Sequence, residues 1–236
     1  MTTIIDKIEQ SKAIISDHYN RFSPHIALAT SMGKDSMVTL SLARSVCPQI
    51  KMFSVMTKFK PPETFKFYEY VCKLWNLHID IYMSSVNVPR NFPKIDPDEC
   101  CYILKVLPTK RAIRELELDA WVTGLRRTEG RTRTDYHTIE LSDLELDDGT
   151  IKPIVKVNPI IDWTETEIWK YIALYDVPVH PFYRLGYRSL GCAPCSNIID
   201  DAETERAGRW KGTSKCGGEC GIHKMSSKIK GLGDGH

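Results

Sequence analysis

The chain has 236 residues, of which 42% are hydrophobic and 26% charged, and its net charge is +2. That length can bury one sizeable core without disulfide staples, and the near-balanced charge gives no bulk attraction to nucleic acid or to an anionic membrane surface. The opening MTTIIDKIEQ breaks its apolar positions with acidic and polar residues, and no later run reaches the roughly 20 apolar residues of a membrane span, so a cytoplasmic protein with neither a nucleic-acid nor a membrane partner is expected.

Ile4, Ile5, Ile8, Ile14 and Ile15 recur at helical spacing and predict a first helix over 4–19. HIALAT (25–30) is a short apolar run that ends in SMGKDS (31–36), and MVTLSLARSV resumes helical character: strand, tight loop, helix. IKMFSVM (50–56) predicts a second strand, and the following PPETFKFYEYVCKLWNL a helix with proline at its start. HIDIYM (78–83) reads as a strand, ILKVLPTKRAIRELEL as a helix, and AWVTG (120–124) as a strand closed by glycine. HTIELSDLELDDGTIKPIVKV predicts a hairpin around Asp148-Gly149, and Thr164 followed by Glu167 marks a capped helix start in WTETEIWKYIALYDV. Beyond about residue 190 periodicity is lost. Strands alternating with helices predict an α/β fold with a parallel sheet covered on both faces, whose ligands lie beyond the carboxyl ends of the strands.

Two loops at predicted strand ends carry anion-binding chemistry. In SMGKDS, Gly33 permits a tight turn before a helix N-terminus, and Ser31, Ser36 and the Lys34 ammonium add donors beside Asp35. The second loop, TGLRRTEGRTR, offers Gly124, Arg126 and Arg127 together with two further arginines, and ERAGRW brings Arg206 and Arg209. Guanidinium groups grip phosphate and sulfate oxygens in pairs, so these residues are candidate ligands for an oxyanion.

Eight cysteines in a chain without an export signal favour thiol or metal chemistry over disulfides. Cys47 and Cys72 sit alone in apolar segments and read as small core residues. GCAPC places Cys192 and Cys195 at the two-residue gap of a metal clamp, and Cys100-Cys101 supplies a second pair. Adjacent cysteines diverge by about 100° on a helix, which suits a 4Fe-4S cubane better than one zinc ion; zinc and a metal-free redox pair remain open. The tail adds Cys216 and the box ECGIH, with Cys220 and His223 three positions apart.

Taken in order, SMGKDS, ECC, TGLRR, GYRSLGCAPC, ERAGRW and ECGIH resemble the assimilatory adenylyl-sulfate and phosphoadenylyl-sulfate reductases over about residues 25–225. The resemblance implies an adenine-nucleotide α-hydrolase-like body over 1–210 and a flexible catalytic tail over 211–236. It implies a 4Fe-4S cluster on Cys100, Cys101, Cys192 and Cys195, with Lys105 between cluster and substrate. It places substrate-binding arginines at 206 and 209, and the nucleophile and its neighbour at Cys220 and His223. The expected reaction converts adenosine 5'-phosphosulfate, or its 3'-phosphorylated form, to sulfite and AMP through an S-sulfonate on Cys220, with thioredoxin or glutaredoxin as electron donor and a homo-oligomeric assembly.

The match has departures. SMGKDS is closer to the SGGxDS loop of ATP pyrophosphatases, which keeps open an ATP-dependent thiolation enzyme acting through Asp35 and Ser36. The family's aspartate-threonine-glycine element appears as Met56, Thr57 and Lys58, with Lys60 beyond it, so that cations stand where an acid is expected. A zinc-stabilised nucleic-acid module is a third reading, opposed by the low net charge and by an arginine loop without interleaved aromatic residues.

Overall fold

The computed structural model describes residues 3–200, 202–216 and 218–224. The first helix, α1 (Ile4–Phe22), opens on a capping box in which Thr3 and Asp6 satisfy each other's backbone N–H groups, and it turns Ile8 and Ile15 into the core. β1 (Ile26–Ala29) is apolar throughout and buried on both faces, as a central strand of a parallel sheet must be. It is followed by α2 (Lys34–Val46), β2 (Lys51–Val55), α3 (Pro62–Trp75, with proline in its first turn) and β3 (Asp80–Tyr82).

The sequence predicts one helix from Ile103 to Leu118, and here the structure differs. Two short helices, α4 (Phe92–Ile95) and α5 (Pro97–Cys101), lead into a π-helical turn at Tyr102–Val106, and only then does the regular α6 (Leu107–Glu115) begin. Pro108 has no N–H, so the α-type hydrogen bond to the carbonyl four residues earlier cannot form, and the widened turn bonds Leu107 N–H to Tyr102 O instead. The consequence is positional: Lys105 sits inside the molecule.

β4 (Ala120–Val122) pairs with β1 on the side opposite β2, and the hairpin β5 (Ile139–Glu145) and β6 (Ile151–Val157) turns at Gly149, whose φ of +85° suits glycine. α7 (Glu165–Leu174) starts with the predicted Thr164–Glu167 capping box. The sheet order is β3-β2-β1-β4-β6-β5, parallel except for the edge strand β5. One face packs Leu28, Val122 and Val157 against Ile8, Ile15 and Ile168; the other packs Ala27, Phe53 and Trp121 against Ile113 and Leu144.

Chain order reverses direction between β1 and β4, so their carboxyl ends open a crevice where ligands of such sheets bind. Past residue 175 the chain wraps this crevice with short 3-10 turns and ends its described part in α8 (Gly221–Lys224). The tail as far as Lys224 is docked against the body, with Glu219 buried and Cys220 half-buried. Among the described residues no helix is long and apolar enough to cross a membrane.

Candidate active site

A cavity of about 170 Å³ lies at the β1–β4 crevice, and Ser31, Gly33, Asp35, Ser36, Gly124, Lys105, Arg206, Arg209 and Cys220 line it. The loop after β1 is held by the Ser36 hydroxyl, which donates to the Gly33 carbonyl at 2.9 Å and lies 3.3 Å from the Ser31 hydroxyl. Gly124 serves a close approach: a Cβ there would come within 2.8 Å of Ser36 Cα, so the loop after β4 can pack on the start of α2 only as glycine.

Three predicted anion ligands lie outside this lining, because acidic groups already occupy them. Lys34 is fully buried; its ammonium pairs with Glu205 and Asp35 and donates to the Arg188 carbonyl at 2.9 Å. Arg126, also fully buried, forks onto Glu205 at 2.5 and 2.7 Å and pairs with Asp35. Burial opposes both charges, but the neighbouring carboxylates hold Lys34 and Arg126 above their ordinary pKa values. Arg127 pairs with Asp162 at 2.8 Å and donates to the Tyr136 carbonyl. Asp35, Glu129 and Glu205 place carboxylate oxygens within 4.8 Å of one another, yet Lys34, Arg126, Arg133 and Arg206 already balance them, so they form an ion network rather than a metal cage.

Against that network stand three buried cations that line the cavity and have no carboxylate partner among the described residues: Lys60, Lys105 and Arg209. Arg209 Nε has no hydrogen-bond partner, and its guanidinium lies over the Trp210 ring, 4.6 Å from the centroid, and against Gly191, where a Cβ would collide with it. Burial and the nearby Arg206 lower its pKa, against the thiols of Cys192, Cys220 and Cys195, which raise it. Lys105 is the reverse: burial opposes its charge, but the thiolates of Cys192, Cys220 and Cys101 raise its pKa. Burial and the facing Lys105 push Lys60 down to about 8. A desolvated cation is costly unless something negative meets it, so this end of the cavity is built for an anion.

Cys100, Cys101, Cys192 and Cys195 come together on one small buried cavity beside Pro97, Leu104 and Lys105. Their chemistry fits an iron-sulfur cubane: four thiols, a closed apolar wall, and a Thr57 hydroxyl 3.2 Å from Cys192 Sγ of the kind that tunes cluster sulfurs. Among the described residues no three cysteine sulfurs lie within 4.8 Å of one another. One tetrahedral zinc would draw its thiolates to about 3.8 Å, given Zn–S near 2.3 Å.

Cys220 packs against this group and hydrogen-bonds to Cys101. Its position is fixed by Glu219, which is 1% exposed. That carboxylate accepts from Arg133 at 2.9 Å through one of two bonds, from Arg206 at 3.3 Å, and from the Cys220 N–H at 2.8 Å. Arg206 also bonds the Gly218 carbonyl at 3.0 Å and Glu129 at 3.1 Å, so the arginine predicted to bind substrate here holds the tail. The side chain of His223 lies outside the described residues.

Sequence reasoning missed the assignments of Arg133, Glu129 and Glu219. Arg133 stood in the arginine loop and Glu219 in the ECGIH box, but their pairing joins positions 86 residues apart and has no local signature. Lys60 had a signal, a cation in place of an expected acid, that did not reveal its direction.

Comparison with known proteins shows the fold and the family. A phosphoadenosine phosphosulfate reductase from Candida auris, solved as a phosphate complex, superposes with a TM-score of 0.66 over 80% of this chain and 90% of its own, at 22% identity, and so shares the fold. The adenosine 5'-phosphosulfate reductase of Burkholderia cepacia is 31% identical over 228 residues, covering 92% of this chain and 87% of its own. The phosphoadenosine 5'-phosphosulfate reductase of Gloeobacter violaceus is 29% identical, covering 90% and 88%. The phosphoadenosine phosphosulfate reductase domain matches residues 25–198, and the chain belongs to that family.

Proposed function

We propose that the protein is a cytoplasmic, thiol-dependent reductase that converts adenosine 5'-phosphosulfate to sulfite and AMP in sulfate assimilation. One observation carries this reading: the Cys220 thiol shares a cavity with Lys60, Lys105 and Arg209, buried cations with no carboxylate partner among the described residues, at the carboxyl ends of β1 and β4. Adenosine fits over the Ser31–Ser36 loop and Gly124, and the phosphosulfate extends toward the cations and Cys220.

In the first step the Cys220 thiolate attacks the sulfate sulfur, an Sγ–S bond forms, the S–O bond to phosphate breaks, and AMP departs with the electron pair. Lys60, Lys105 and Arg209 offset the charge on the sulfo and phosphate oxygens. In the second step a dithiol protein, thioredoxin or glutaredoxin, attacks Cys220 Sγ, sulfite leaves with the bonding pair, and the second thiol resolves the mixed disulfide, so the dithiol supplies both electrons. The two steps need Cys220 in two places, and the docked 211–224 segment must leave the cavity between them.

Cys100, Cys101, Cys192 and Cys195 are proposed to hold a 4Fe-4S cluster. When bound it would tie two distant segments together and add its field at Lys105; the sulfur transfer itself uses residues of the chain. The four cysteines and the Burkholderia cepacia relative support the unphosphorylated nucleotide. The ATP-splitting reading loses support because Asp35 is committed to Arg126 and Lys34. A homo-oligomer is proposed on the sequence resemblance alone.

The test is transfer of label from sulfur-35 adenosine 5'-phosphosulfate to anaerobically purified protein without reductant. Label is expected on the wild type, absent from Cys220→Ser, and released as sulfite by thioredoxin. Unlabelled wild-type protein refutes the proposal.

A further inference from the structure

Lys60 lies in the turn after β2, and its placement is over-determined. Lys60 N–H donates to the Thr57 carbonyl at 3.0 Å, Thr57 reaches Cys192 Sγ at 3.2 Å, and Ala193 N–H donates to the Phe59 carbonyl at 2.7 Å. The turn is therefore clamped to the Cys192 loop on one side. On the other side, the ammonium comes no closer than 3.5 Å to the Ser31 carbonyl of the loop after β1, a weak contact for so strong a donor. Lys60 is 9% exposed, lines the cavity, and has no carboxylate partner among the described residues.

The preceding Phe59 packs against the group of Cys101, Cys192, Cys195 and Cys220, and Lys60 lines the same cavity as Lys105, Arg209 and Cys220. Three convergent cations around one nucleophile are more than the single charge of a phosphodiester-like linkage requires, and a sulfo group offers terminal oxygens to receive them.

Resting on the reductase reading above, we infer that Lys60 is a substrate ligand for the sulfo group attacked by Cys220, and that it is not a reader of a 3'-phosphate on the ribose. It donates to the sulfo oxygens, and its ammonium orients the sulfur toward the thiol.

The test measures binding in a Cys220→Ser background, where no transfer occurs, with four ligands: AMP, adenosine 5'-phosphosulfate, adenosine 3',5'-bisphosphate and 3'-phosphoadenosine 5'-phosphosulfate. Adding Lys60→Met is expected to weaken both sulfonucleotides about 10- to 100-fold, the loss for one charge-assisted hydrogen bond, while AMP and the bisphosphate change less than about 3-fold. Lys60→Arg should recover most of the loss. Equal weakening of AMP and its sulfonated form would overturn the sulfo assignment, as would weakening confined to the two 3'-phosphorylated ligands. Unchanged binding of all four also overturns it. If the Cys220→Ser protein itself binds none of them, the reductase reading fails rather than the role of Lys60.

Discussion

Arg126 and Arg209 are both buried arginines, and they have opposite meanings. Arg126 answers two carboxylates, so Arg126→Ala leaves Asp35 and Glu205 to share the Lys34 ammonium inside the protein. A loss of about 3–5 kcal/mol in denaturant unfolding is expected. Arg209 has no such debt to a partner, and Arg209→Ala should leave the unfolding midpoint unchanged or higher while kcat/KM falls about 10- to 100-fold. The sequence made both of them candidate anion ligands, because guanidinium chemistry is legible in residue type whereas its partner is not. Arg126, Arg127 and Lys34 are taken up by acids distant in sequence, whereas no acid among the described residues reaches Arg209.

At the level of elements, the strands and helices were largely legible. Each follows from an apolar period, a cap or a proline, and the Thr164–Glu167 box and the Asp148-Gly149 turn fall where the sequence places them. The π-helical turn before Pro108 was not legible as such, since the proline also suits an ordinary first turn. The tail was the least legible element, because its docking depends on a buried ion pair and not on periodicity. Glu219→Gln should weaken that docking through Arg133 and Arg206: alkylation of Cys220 by iodoacetamide should speed up about 10-fold, and single-turnover S-sulfonate formation should slow by a similar factor. Reduction of an already formed S-sulfonate by thioredoxin should not slow. An unchanged alkylation rate would show that the Glu219 contacts do not set the exposure of Cys220.

At the scale of the whole molecule, the body that carries the site should be acid-sensitive. His180 is 1% exposed, bonded to Thr64 at 3.1 Å, and accepts the Phe182 N–H at 3.2 Å. Burial, helped by Lys60, lowers its pKa to about 4. The unfolded chain, with histidine near 6.5, binds the proton more readily between these values, so this contribution to stability is present above about pH 6.5 and is lost as pH falls toward 4. It amounts to about 3 kcal/mol, and denaturant titrations at pH 7 and pH 4 should show it in the wild type and not in His180→Gln.

The position of Cys220 in a pocket of unneutralised cations also bears on how a product escapes. Free sulfite formed there would face the attraction that drew in the phosphosulfate, and the pocket would retain it as a competitor. In the proposed reaction covalent attachment avoids this, because the sulfo group leaves on the tail when Glu219 lets go and becomes sulfite only outside, where solvent and counter-ions screen the field. On that proposal the thiol is a carrier as well as a nucleophile, and the tail moves the anion from where it is held most tightly to where it can diffuse away.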